Sequence, residues 1–315
     1  MYNKIVYYVD KIERINRGEI VYPISVEIDP SNRCQCDCTF CLYKTYRKEN
    51  NIDLDYSKYL DLLKVLSANG TKSITFTGGG EPLLHPRFND MLEQAISFGF
   101  DVGLITNGIR LDEIPKEFIG EFSFIRVSLD SATPESYLNV KRFPGFKLVI
   151  HNIKETSVLI HENKYKTTLG VSCVVTDSNK DELDQLYNVI GDFVNYVQIK
   201  PEINDINNKY LVESKSKIVL TDRYLPDSLL PCRIAGLVGI VGADGNWYYC
   251  CQTRGDENYI CGNIYTDNID DIIRNRMNII PDYKECLPCR YMNYAKAYDQ
   301  IIKDNMYFYA HRMFL

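Results

Sequence analysis

Six apolar runs punctuate the first two thirds of the chain, at about 24–29, 73–77, 101–105, 123–129, 168–175 and 195–199. The first, Ile24-Ser25-Val26-Glu27-Ile28, alternates apolar with polar, the period of a strand whose successive side chains face opposite ways. Between the runs lie segments of helical period near 56–68, 87–98, 144–160 and 180–193. Within 56–68, Tyr59, Leu62, Leu63 and Leu66 recur at i, i+3, i+4 and i+7 and therefore share one face. Strand and helix alternating in this way predict an α/β fold, a parallel sheet with right-handed crossovers. The polar stretch 202–230, rich in Asn, Lys and Ser, predicts a connector. Beyond it, Asp244-Gly245 between alternating apolar residues predicts a hairpin, because Gly tolerates positive φ, and an amphipathic helix follows around 267–276. The expected organisation is a first unit at 1–205 with a short extension at 1–22, a connector at 206–230, and a second unit at 231–315.

Composition narrows the field. At 315 residues the chain has core enough for about two domains. A net charge of −6 and no basic stripe argue against a nucleic-acid surface. The first residues, Met1-Tyr2-Asn3-Lys4-Ile5-Val6, run into charged positions without an apolar signal core, and no apolar run approaches the ~18 residues of a spanning helix. A cytoplasmic enzyme, with no membrane partner, is the expectation. Eleven cysteines in such a setting point to metal or catalysis before disulfides.

Those cysteines are not evenly spread. Residues 34 to 41 read Cys-Gln-Cys-Asp-Cys-Thr-Phe-Cys, directly after the first predicted strand. Thiols this close rarely have the separation and Cβ vectors of an unstrained disulfide. Soft thiolates on one loop suit zinc or an iron–sulfur cluster, and structural zinc sites are usually built from paired C-x2-C units or Cys/His mixtures. The C-x3-C-x2-C spacing of Cys34, Cys38 and Cys41, with Phe40 before the last, resembles the signature of the radical SAM superfamily. Three further segments resemble that family in the same order. Gly78-Gly79-Gly80-Glu81 follows Ile74-Thr75-Phe76-Thr77 and resembles the loop that holds the amino group of SAM through its backbone and Glu81. Thr106-Asn107-Gly108 follows the third predicted strand. Ser128 and Asp130 close the fourth, where the family contacts ribose.

The resemblance, over roughly residues 20–205, implies a partial (β/α)6 barrel with its active residues at strand C-terminal ends. It implies SAM and a SAM-binding four-iron cluster held by Cys34, Cys38 and Cys41, with the fourth iron left open. Phe40, Gly79, Gly80, Glu81, Asn107, Ser128 and Asp130 are the expected SAM contacts, and Arg142 is placed to meet the SAM carboxylate. Cys36 reads as a bystander, Cys173 as a buried small hydrophobe, and His85 as able to line the site. Lys200 and Glu202, after the sixth strand, are candidates to face substrate.

A second thiolate set follows residue 230. Cys232, Cys250, Cys286 and Cys289 have the order and spacing of the twitch form of the SPASM domain, which implies an auxiliary four-iron cluster. A structural zinc on the same residues is the alternative, and Cys251 could replace Cys250 as ligand. Cys261 reads as a packing residue. The resemblance implies reductive cleavage of SAM to a 5′-deoxyadenosyl radical, with a low-potential donor such as flavodoxin or ferredoxin. Three reactions stay open: oxidation of a sugar- or cyclitol-like alcohol with the auxiliary cluster accepting an electron, epimerisation with Cys251 returning hydrogen, and modification of a ribosomal peptide. A non-enzymatic metal-binding module would leave the SAM-type loops unexplained.

Overall fold

A computed structural model of the 315-residue chain describes residues 4–49, 51–202, 218–220, 232–279, 294–295 and 297–298. Six strands follow one another as expected: β1 (Ser25–Ile28), β2 (Ser73–Phe76), β3 (Asp101–Thr106), β4 (Phe122–Ser128), β5 (Thr168–Val175) and β6 (Tyr196–Pro201). All pair in parallel, each with its successor. The short strand β7 (Ile218–Leu220) adds to the far edge beside β6, so part of the expected connector is sheet. Among the described residues the sheet keeps two edges and forms an open, partial barrel.

Among the described residues the bounded α-helices are α1 (Val9–Asn16), α2 (Lys44–Glu49), α3 (Tyr56–Ala68), α4 (Phe88–Ser97), α5 (Pro134–Lys141), α6 (Phe146–Glu162), α7 (Leu183–Ile190) and α8 (Ile269–Asn278). Asp55 caps α3, its carboxylate accepting from the Lys58 amide at 2.9 Å. The predicted face of α3 is the buried one: Tyr59, Leu62, Leu63 and Leu66 all pack into the core. Thr133 and Ser136 form a capping box on α5, with Pro134 in the first turn. No described helix is long and apolar enough to cross a membrane.

The hairpin after residue 232 completes this sheet. Strand β8 (Val238–Val241) pairs in parallel with β1, Ser25 opposite Val238 and Ile28 opposite Val241. β9 (Asn246–Tyr248) and β10 (Ile260–Asn263) continue the same sheet antiparallel. Trp247 and Tyr249 therefore join the core of the barrel. A smaller apolar cluster seats α1 on this C-terminal part, Ile12 and Ile15 meeting Ile234 and Leu237.

Candidate active site

The C-terminal ends of β1 to β6 surround a cavity of about 250 Å³. Cys34, Cys38 and Cys41 stand in its wall with Phe40, Gly79, Gly80, Glu81, Asn107, Ser128 and Glu202. With Val174 of β5 also in the wall, residues from all six strand ends converge. Cys36 joins them: it is buried, lines the cavity, and its thiol donates towards Cys34 and Cys38. That contact pulls both neighbours below the usual thiol range, Cys38 to about 6, while burial pushes Cys41 up. Thiolate is the ligating form of cysteine, and all three thiols of the C-x3-C-x2-C loop stand in this one wall. Among the described residues no three His, Cys, Asp or Glu side chains converge on a single-ion site. The all-thiolate set of Cys34, Cys38 and Cys41 in one wall is a donor set of the kind that holds an iron–sulfur cluster.

Two crowded glycines form the floor. A Cβ on Gly80 would lie 2.4 Å from the Arg33 carbonyl oxygen, and Gly78 adopts φ +149° against the Asp29 carboxylate. The glycines are needed for close packing of the loop onto the segment after β1. Glu81 is 2 % exposed and its carboxylate accepts from Thr106 Oγ1 at 2.6 Å and from the Asn107 amide at 2.7 Å. Burial raises its pKa. Asn107 in turn reaches Gln35 Oε1 at 3.2 Å and the Cys34 sulfur at 3.9 Å. The glycine loop, the Thr-Asn-Gly turn and the cysteine loop are therefore one hydrogen-bonded unit.

Four expected contacts sit differently. Asp130 turns away from the cavity: it is fully buried at φ +61°, accepts from the Val174 amide at 2.7 Å, and pairs with Lys141 Nζ at 2.5 Å. It ties β4 to β5 and α5, and is not in the cavity wall. Arg142 is exposed, a left-handed C-cap of α5, whereas its neighbour Lys141 reaches the wall, as does Arg47. Tyr137, Val140 and Lys141 share the buried face of α5, so helical periodicity carried the signal for Lys141. Lys200 lies on β6 opposite Val174, outside the wall, whereas Glu202 lines it. His85 supports the loop, its Nε2 3.0 Å from the Leu54 carbonyl and its Nδ1 accepting from the Arg87 amide.

Replacing Lys141 by Met would strand the Asp130 carboxylate, since both side chains are at most 2 % exposed. Loss of one partner of a buried pair costs about 3–5 kcal/mol. Urea unfolding of Lys141→Met is expected to show a destabilisation of that size, partly recovered in Lys141→Met/Asp130→Asn.

Of the second thiolate set, Cys286 and Cys289 lie outside the described residues. Cys232 borders a separate cavity of about 230 Å³ with Tyr249 and Arg276. The Cys250 thiol is raised by burial, with Cys251 and Cys232 among the groups that add to the shift, so Cys232 and Cys250 lie within electrostatic range of each other. Cys250 and Cys251 do not alternate on a strand, because β9 ends at Tyr248 and Thr253 closes a turn back onto the Cys250 carbonyl. Cys251 is not in the wall of the main cavity; its carbonyl accepts from Tyr43 at 2.7 Å and Arg254 at 3.2 Å. Cys173 and Cys261 are buried packing residues, and burial pushes Cys261 up to about 12.

The architecture has known counterparts. Streptococcus suis SuiB bound to its precursor peptide SuiA superposes with a TM-score of 0.64 at 13% identity, over 85% of this chain and 69% of that one. anSMEcpe with bound AdoMet gives 0.60 at 16% identity, over 92% of this chain and 100% of the other. At these identities the likeness is one of fold. The tungsten-containing aldehyde ferredoxin oxidoreductase cofactor-modifying protein of Pyrococcus furiosus is 29% identical over 164 residues, 50% of this chain and 46% of that protein. The chain spans about half the length of the curated relatives it matches. Residues 28–190, just over half of the 315, match the model of the Radical SAM superfamily. The cysteine loop, its glycine neighbour and the sheet that carries them are thus explained together: the chain belongs to the radical SAM superfamily, which implies SAM and a SAM-binding four-iron cluster as its cofactors.

Proposed function

We propose that this protein cleaves SAM reductively and uses the radical to oxidise a hydroxylated small molecule, such as a sugar or cyclitol, by two electrons. The observation that carries the reading is the convergence of Cys34, Cys38, Cys41 and the buried Glu81 on one cavity. When bound, the cluster and SAM supply a 5′-deoxyadenosyl radical able to take hydrogen from an unactivated C–H bond. Glu81 would receive the SAM ammonium, and Asn107 would hold the cysteine loop against the glycine loop. Ser128 and Glu202 give the wall hydrogen-bonding groups suited to hydroxyls. Cys232 and Cys250, with Cys286 and Cys289, would hold an auxiliary cluster, and the chemistry it would supply is acceptance of one electron. Peptide modification is the second reading, supported by the fold likeness to SuiB in its peptide-bound form. Epimerisation would require Cys251 at the cavity, and Cys251 is outside its wall.

The test combines product and binding assays. Anaerobic, reduced enzyme is expected to form 5′-deoxyadenosine from SAM, and a deuterated alcohol substrate should transfer its label to that product. Glu81→Ala removes a charge-assisted partner worth roughly 1.5–3 kcal/mol. SAM affinity should fall by about one to two orders of magnitude with the cluster retained. Unchanged affinity would reduce the glycine loop to a turn.

A further inference from the structure

Arg254 lies outside every motif read above, yet it links the hairpin turn to the SAM loop. It follows the Cys250–Thr253 turn, and its side chain is 3 % exposed. The guanidinium meets Glu27 Oε2 at 2.9 Å, Asp29 Oδ2 at 2.9 Å and the Tyr43 hydroxyl at 3.1 Å. Glu27 is on β1, Asp29 directly follows it, and Tyr43 lines the main cavity. The same Asp29 oxygen accepts the Gly79 amide at 2.9 Å. Because the peptide group is planar and trans, that bond points the Gly78 carbonyl to the opposite side. Gly78 and Gly79 both line the cavity, so the carbonyl is an acceptor whose direction Asp29 decides. Asp29 itself is fully buried, and a fully buried carboxylate holds one direction only while its counter-charge holds it.

We propose that Arg254 is a positioning residue for SAM: through Asp29 it orients the Gly78–Gly79 peptide, and so couples the auxiliary hairpin to the SAM site. Glu27 anchors the far edge of the guanidinium, which an ammonium cannot do while also reaching Asp29 and Tyr43, since the planar fork is specific to arginine. Loosening of the turn that carries Cys250 would thereby be felt at the SAM loop, through one ion pair and one amide hydrogen bond.

The experiment uses the full chain, reconstituted anaerobically, with SAM itself as the probe. Binding is read from the change SAM produces in the electron paramagnetic resonance spectrum of the reduced first cluster. Arg254→Lys is expected to weaken SAM by about tenfold, with iron at Cys34, Cys38 and Cys41 retained. Asp29→Asn should weaken it several-fold, and the double variant should be no weaker than Arg254→Lys alone, because residues acting through one path are non-additive. Unchanged affinity in a folded Arg254→Lys, or strictly additive losses in the double variant, would overturn the proposal. Should Arg254→Lys melt near the assay temperature, Asp29→Asn alone decides: it keeps shape and an acceptor, and unchanged affinity there overturns the relay. The inference rests on reading Gly78 to Glu81 as the SAM loop, and the two fail differently. Unchanged affinity in Glu81→Ala removes that reading; a loss there with none in Arg254→Lys removes the relay alone.

Discussion

Replacing Cys34, Cys38 and Cys41 together by alanine will abolish formation of 5′-deoxyadenosine and remove one four-iron cluster. The wild-type protein, reconstituted anaerobically, should hold about eight irons in two cubes, and the triple variant about four. All three thiols line one cavity, and no other described cysteine there except Cys36 could substitute. Cys36 lies between Cys34 and Cys38 in sequence and touches both thiols, but a single thiolate cannot hold a cube. Iron analysis with quantification of 5′-deoxyadenosine checks the expectation. Any remaining SAM cleavage in the triple variant would mean that the radical chemistry does not arise at this loop, and zinc in place of iron would be equally decisive.

The second large effect separates Cys250 from Cys251. Cys250→Ala is expected to lose the auxiliary cluster, about four irons, and with it the oxidised product. SAM cleavage should continue at a reduced, uncoupled level, since Cys34, Cys38 and Cys41 are untouched. Cys250 suits the ligand role because its buried thiol lies within electrostatic range of Cys232. Cys251→Ala should therefore keep iron content and turnover. Loss of product in Cys251→Ala, with a substrate radical trapped and seen by electron paramagnetic resonance, would reverse the assignment in favour of epimerisation.

The legible parts of the fold share a physical origin. Strands β1 to β6 and helices α3, α4, α6 and α7 were readable because alternation and the 3.6-residue period act within a few residues. The α3 face of Tyr59, Leu62, Leu63 and Leu66 is buried as its spacing requires. The short α5 lies outside the segments of clear helical period, and Lys141 lies at its end. Lys141 and Arg142 are adjacent in sequence, but the end of α5 points one into the cavity wall and the other to solvent. Asp130 carries the same lesson: a Ser-x-Asp at a strand end could serve a ribose, and only the fold shows its carboxylate buried beside Lys141.

What the sequence determined by itself was local and chemical: the thiolate spacing of Cys34, Cys38 and Cys41, the glycine loop before Glu81, and the order of strands that brings them to one end of a sheet. These depend on neighbours within a few residues or on repeated βα units, whose crossovers admit one hand. Tertiary structure alone decided that β8 lies beside β1, more than two hundred residues away, and that Arg254 closes over Glu27 and Asp29. Such contacts leave no period and no motif. They are selected by the pairing of an unmatched sheet edge and by the need of buried carboxylates for a counter-charge, and both needs arise only once the chain has folded.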